Sequence, residues 1–149
     1  MLHSIPLFLH IAAAVVWVGG MFFAYFCLRP ATSQVLEPPQ RLALWVATFS
    51  PFLRYAAISV VVLVGSGFGM LLPVGFGAAP HGWLAMMVLG LVMAGVFVYV
   101  YFGLYPKLVS STQAGSWQAA AGVLNSIRRL VGLNLMLSVL VLASAVSVR

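Results

Sequence analysis

Residues 11–28 read IAAAVVWVGGMFFAYFCL, a stretch without a single charged side chain. About 20 apolar residues in a helix span the hydrocarbon core of a bilayer, so a run of this length is typical of a transmembrane helix. In the chain as a whole, 64% of the residues are hydrophobic and 5% are charged. This composition lies outside the range of soluble domains and indicates an integral membrane protein.

The apolar residues fall into four runs, at about 4–27, 52–72, 82–106 and 130–148. Each run is close to the length that crosses a bilayer, and together they leave no room for a soluble domain. We therefore predict one transmembrane domain over residues 1–149. An all-α, up-down bundle of four antiparallel helices is the simplest architecture for four such spans.

The basic residues predict how this bundle is oriented. Six of the seven Lys and Arg residues flank the first and third connections: Arg29, Arg41, Arg54, Lys107, Arg128 and Arg129. The second connection, PVGFGAAPHG, has none. By the positive-inside rule, both termini and the second connection are expected on the outer, periplasmic side of a bacterial inner membrane. The net charge of +6 is then explained by the orientation of the helices and by contact with anionic lipid. For this reason we exclude a nucleic-acid partner.

The first connection is predicted to hold a short cytoplasmic interfacial helix at about 39–49. Pro38 or Pro39 lies near its start, and Pro51 follows it, where the second span is expected to begin. Trp45 is expected to anchor the short helix at the level of the lipid headgroups.

The polar residues exclude several kinds of chemistry. Glu37 is the one acidic residue and lies in the first connection, so no carboxylate is available inside the membrane for a proton pump or a hard cation. Cys27 is the one cysteine, which rules out an intrachain disulfide. The chain has no HExxH, no CxxC and no glycine-rich phosphate loop, which argues against hydrolases and kinases.

Histidine and methionine remain as candidate ligands. His3, His10 and His81 all fall in the predicted outer half of the bundle. His10 is expected roughly 10 Å below the outer end of its helix, at a depth similar to that of Met86 and Met87 on the third helix. An ionisable residue within a span suggests a functional site, although a neutral imidazole hydrogen-bonded across the bundle is the simpler alternative.

The other candidates also have simpler explanations. His3 is close enough to the N-terminus to be a solvated side chain that covers the site from above. His81 can be an interfacial residue at a helix start, and methionines usually fill gaps in a core. In the stretch GSGFG, Gly65 is expected at the depth of His10, either in a helix-packing face or as the backing for a flat ligand.

Several segments together resemble the copper-resistance CopD family in its small stand-alone form. They are LHIAAAVVWVGGMFFAYFCLRP, PPQRLALW, FLRY, MMVLGLVMAGVFVYVYF and SIRRLVGLNL. The histidine followed by a tryptophan seven residues later is also similar to HemJ-type four-helix membrane proteins, which bind haem b and act in protoporphyrinogen oxidation.

The resemblance implies roles for particular residues. His10 corresponds to the first-helix histidine of the family, Arg54 to the basic residue that opens the second span, and His81 to a histidine before the third span. A lysine that HemJ-type proteins place near the start of the third helix is missing from HGWLAMM. This difference disfavours protoporphyrinogen oxidation more than it disfavours metal or haem binding.

Copper handling or copper transport is the first prediction that follows. Copper is predicted to bind His10 with His81, Met86 and His3, because imidazole and thioether ligands suit Cu(I). The first alternative is haem b in electron transfer, with His10 and either His81, Met86 or Met87 as axial ligands and Gly65 beside the ring. The partners expected are the lipid bilayer and a periplasmic copper or electron-transfer protein. A second alternative is a non-catalytic accessory subunit of a larger membrane complex.

Overall fold

A computed structural model describes residues 4–147, which form four long helices and contain no strand. The helices are α1 (Ser4–Val35), α2 (Pro38–Leu71), α3 (His81–Gln113) and α4 (Trp117–Val146). Each is long and apolar enough to cross a membrane, which agrees with the prediction of an all-α chain with four spans. The chain is therefore a multi-pass membrane protein.

Two of the helices contain a wider, π-helical turn directly before a proline. In α1 the turn is Phe23–Leu28, ahead of Pro30, and in α3 it is Val100–Leu104, ahead of Pro106. A proline inside a helix lacks an N–H to donate, and its ring collides with the carbonyl four residues earlier. The wider turn relieves this collision, so both helices continue past their prolines.

The helix α2 begins with a capping box. The Glu37 side chain accepts a hydrogen bond from the backbone N–H of Gln40, whose own side chain accepts one from the Glu37 N–H at 3.2 Å. The helix then runs without a break through Pro51. The segment 39–49, predicted as a separate short helix, is therefore continuous with the second span, because membrane helices tolerate an internal proline.

The core is built mainly by two pairs of helices, with α1 along α2 and α3 along α4. An edge-to-face contact between Trp17 and Phe97, with ring centroids 6.0 Å apart, joins the pairs. The Tyr105 hydroxyl donates to the Val46 carbonyl at 3.3 Å, near the basic connections. Trp45 is 2% exposed and belongs to this core, so the expectation that its side chain faces the headgroups is wrong.

The outer surface of the bundle is apolar. Many large hydrophobic side chains are exposed along the helices, among them Val15, Phe102 and Met136. In a membrane, lipid tails cover such side chains, and the helices satisfy their own backbone hydrogen bonds. The surface therefore fits a lipid bilayer as the medium around the protein.

Candidate functional site

His10 and Ser66 form a hydrogen bond between α1 and α2. The distance between His10 Nδ1 and Ser66 Oγ is 2.8 Å, and the two residues are 56 positions apart in the sequence. His10 is half-buried, so its ring is held against α2 instead of extending freely into the surrounding medium. The imidazole hydrogen-bonded across the bundle, considered as the simpler alternative, is thus present.

The hydrogen bonds of Ser66 indicate which nitrogen of His10 carries the proton. Ser66 Oγ lies 2.5 Å from the Val62 carbonyl and 3.3 Å from the Leu63 carbonyl, and both of these oxygens can only accept. The single hydroxyl hydrogen is donated to them, so Ser66 accepts the hydrogen of His10 Nδ1–H. In a neutral ring, Nε2 is then left with its lone pair. A histidine that ligates a metal is oriented in this way by the partner of its other nitrogen.

The glycine beside His10 is Gly67. A Cβ atom placed on Gly67 would lie 3.5 Å from His10 Cε1, an ordinary van der Waals distance. Gly65, the glycine expected at the site, is exposed, and a Cβ there would meet no atom within 4 Å. A helix turns by about 100° per residue, so glycines two positions apart face different directions. Of the two, only Gly67 faces the imidazole.

The remaining candidates lie on α3 or outside the described residues. His81 is exposed at the first position of α3, whereas Met86 and Met87 are half-buried further along it. Within residues 4–147, no three His, Cys, Asp or Glu residues are grouped closely enough to hold a metal ion. His3 lies outside the described part of the chain. A ligand set joining His10 to these residues therefore stays a prediction.

Arg54, matched by resemblance to a basic residue at the second span, is exposed on α2. Its guanidinium donates to Ser50, from Nε to the backbone carbonyl at 3.2 Å and from Nη2 to Oγ at 3.1 Å. These are bonds within one helical turn, next to Pro51. Arg54 thus makes a local contact on its own helix.

Sequence reasoning did not select Ser66 as a site residue, although it lies within the GSGFG stretch. A serine in an apolar span commonly donates its hydroxyl hydrogen to a backbone carbonyl three or four residues earlier. The presence of a serine therefore does not by itself indicate a functional site. The signal available was its position between Gly65 and Gly67, in a stretch expected at the depth of His10. Only the packing of α1 against α2 distinguishes it from the other serines.

The arrangement is suited to binding a soft metal ion at one imidazole nitrogen. A neutral imidazole with a fixed ring can donate the Nε2 lone pair without first losing a proton. Imidazole and thioether ligands together favour Cu(I) over harder cations, which prefer oxygen. The fixed His10 ring thus leaves one imidazole nitrogen, Nε2, that could bind such an ion.

The fold and these residues define a multi-pass membrane protein of four helices. A histidine on its first helix is held in place by a serine on the second. Residues 46–148 match the family model described as copper resistance protein D. The chain belongs to this CopD family, as its resemblance implied, and the family makes it a copper-resistance-related membrane protein. No curated protein and no solved structure matches the chain.

The haem b alternative gains no support from these observations. The family description names copper, and the glycine expected beside a haem ring, Gly65, is not the one next to His10.

Proposed function

We propose that this CopD-family protein handles copper in the membrane, at a site in which His10 Nε2 is the first ligand. The observation that supports it is the hydrogen bond from His10 Nδ1 to Ser66, because it fixes the ring and leaves Nε2 as the metal-binding nitrogen. Copper is here the substrate that the protein binds and passes on, not a permanent part of the fold.

The rest of the ligand set is proposed from the outer ends of the helices. His81 begins α3, and Met86 and Met87 follow within two turns, so a shift of α3 toward α1 would bring an imidazole and a thioether toward Nε2. His3 is proposed to close the site from above. Three or four soft ligands of this kind are sufficient for Cu(I).

The site is proposed to face the periplasm of a bacterial inner membrane, with the helices antiparallel. His10 lies by Ser66 while Gly20 lies by Phe52, so positions rising along α1 meet positions falling along α2. Six basic residues flank the first and third connections, which the positive-inside rule places in the cytoplasm. A periplasmic copper protein is then the proposed source or acceptor of the ion.

The proposed function is tested by metal analysis of the purified protein together with its absorption spectrum. After Cu(I) loading and removal of free metal, we expect about one copper per chain and no Soret band. A Soret band that disappears in His10→Ala would contradict the copper proposal in favour of haem b. A chain that retains neither copper nor iron, and is stable only with another membrane protein, would favour the accessory-subunit alternative.

A further inference from the structure

Arginine side chains from three helices lie at the end of the bundle that carries the first and third connections. They are Arg29 of α1, Arg41 of α2 and Arg128 of α4. Arg29 and Arg128 line the same cavity, and both are half-buried. Like charges gathered in a partly desolvated place are unfavourable unless a negative charge accompanies them.

The chain itself offers these arginines almost no negative charge. Glu37 is its one acidic residue, and its carboxylate caps α2 at an exposed position. Arg29 lies over the ring of Tyr25, with its guanidinium carbon 5.2 Å from the centroid, and Arg41 Nη2 donates to the Leu36 carbonyl at 3.1 Å. These contacts leave the positive charges uncompensated.

Buried hydrogen-bond donors at the same place have no acceptor. Among the residues of the described chain, Nε of Arg41, Nε of Arg128 and Nε1 of Trp45 are buried and make no hydrogen bond. Trp45 is 2% exposed, so bulk solvent does not supply a partner for its indole N–H. A buried donor without a partner costs free energy that an acceptor atom from a ligand would restore.

These groups surround a cavity that adjoins a groove on the surface. The cavity is small, about 20 Å³, and is lined by Tyr25, Arg29, Trp45 and Arg128, together with apolar side chains. Beside it lies an open groove of about 380 Å³, lined by Tyr25, Phe26, Arg29, Pro30 and Ser33. Because Tyr25 and Arg29 line both, a ligand in the groove can extend one atom toward the buried donors.

We infer that the Arg29, Trp45 and Arg128 side chains form a binding site for a phosphate group, which lies in the groove and directs one oxygen into the cavity. Arginine matches the geometry of phosphate oxygens, and the indole N–H supplies one further donor. The phosphate comes either from an anionic phospholipid, whose chains would run beside the exposed Phe26, or from free phosphate. This site is separate from His10 and does not depend on the copper proposal.

The test measures phosphate binding by the purified, full-length protein in a neutral detergent. Thermal unfolding is followed during titration with phosphatidylglycerol, with zwitterionic phosphatidylcholine and with inorganic phosphate. We expect phosphatidylglycerol or inorganic phosphate to raise the unfolding temperature in a saturable way, and phosphatidylcholine to act weakly. Saturation by phosphatidylglycerol alone identifies a lipid headgroup, and saturation by inorganic phosphate identifies the free ion.

The variants Arg128→Gln and Arg129→Gln form a matched pair, because the two arginines are adjacent and Arg129 is exposed. Arg128→Gln is expected to weaken binding about tenfold or more, since it removes a charged donor, whereas Arg129→Gln changes it less than about twofold. Trp45→Phe keeps an aromatic ring and removes the Nε1 donor, and it is expected to weaken binding several-fold. Equal losses in both arginine variants, or no saturable binding of either probe, would overturn the proposal.

Discussion

His10 Nδ1 and Ser66 Oγ lie 2.8 Å apart, and this one hydrogen bond connects the first two helices at the candidate copper site. Ser66 gives its own hydrogen to a carbonyl of α2, so the bond fixes both the rotation of the imidazole and the position of its proton. If the ring were unsupported, copper would have to order it on binding, at a cost in affinity.

Substitution of Ser66 by alanine tests the orienting role directly. Ser66→Ala removes the acceptor of His10 Nδ1–H and leaves the imidazole itself in place. Loss of such a partner typically lowers metal affinity 10- to 100-fold, and we expect a decrease of about this size in Cu(I) affinity, with little change in unfolding temperature. The affinity is measured by competition with a chromophoric Cu(I) chelator.

The control for this variant is Ser126→Ala. Ser126 also returns its hydroxyl to a carbonyl four residues earlier, that of Gly122 at 3.2 Å, and it is exposed on α4. Its substitution is expected to leave Cu(I) affinity unchanged. Equal losses in the two serine variants would show that the effect comes from the helix backbone and not from His10.

The two glycines near the site are expected to behave differently. At Gly67 a Cβ atom would already be in van der Waals contact with His10 Cε1, at 3.5 Å, so the further atoms of the side chain in Gly67→Leu compete with the ring for space. We expect it to displace the ring and lower Cu(I) affinity at least about tenfold. Gly65→Leu points into open space and is expected to leave the affinity within about twofold. A loss in Gly65→Leu alone would favour a ligand resting on Gly65.

The close packing of α1 against α2 makes a separate prediction about stability. A Cβ atom on Gly20 would overlap the ring of Phe52, whereas one on Gly19 would meet nothing. Gly20→Ala is therefore expected to lower the free energy of unfolding by about 1–3 kcal/mol, measured in mixed micelles, and Gly19→Ala to leave it nearly unchanged. Phe52→Leu should recover part of the loss. Equal effects of the two glycine variants would contradict this helix contact.

The orientation is testable with single cysteines in a Cys27→Ser background. Ala78→Cys and Ala114→Cys lie in the second and third connections, and both positions are exposed. In intact cells, a membrane-impermeant maleimide is expected to label the cysteine at 78 and not the one at 114. Labelling of the cysteine at 114 alone would reverse the proposed orientation.

Hydropathy and charge were sufficient to predict the four spanning helices, because lipid demands a long apolar run wherever the chain crosses. They could not predict that α2 continues through Pro51, since a proline in the sequence is compatible with either a break or a continuous membrane helix. The π-helical turns before Pro30 and Pro106 were missed for a related reason. A proline predicts an irregularity in the helix, but it does not show whether the helix kinks, breaks or forms a π-helical turn.

The site was predictable only in part. The position of His10 within an apolar span identified it as a candidate, but its partner lies on another helix. To select Gly67 over Gly65, one must know which face of α2 is turned toward α1. The sequence does not show this, because α2 is apolar on every face. The arginine cluster was visible as charge at the connections. Its unpartnered donors were not, because Trp45 was expected at the membrane interface.

The central claim is that His10 is the residue on which copper binding depends. The most direct test compares the Cu(I) affinity of the wild-type protein with that of His10→Ala, using the same chelator competition. We predict a loss of at least about 100-fold in His10→Ala at an unchanged unfolding temperature, since a first ligand is lost and not merely its support. A His10→Ala protein that binds Cu(I) within about twofold of wild type would contradict the account.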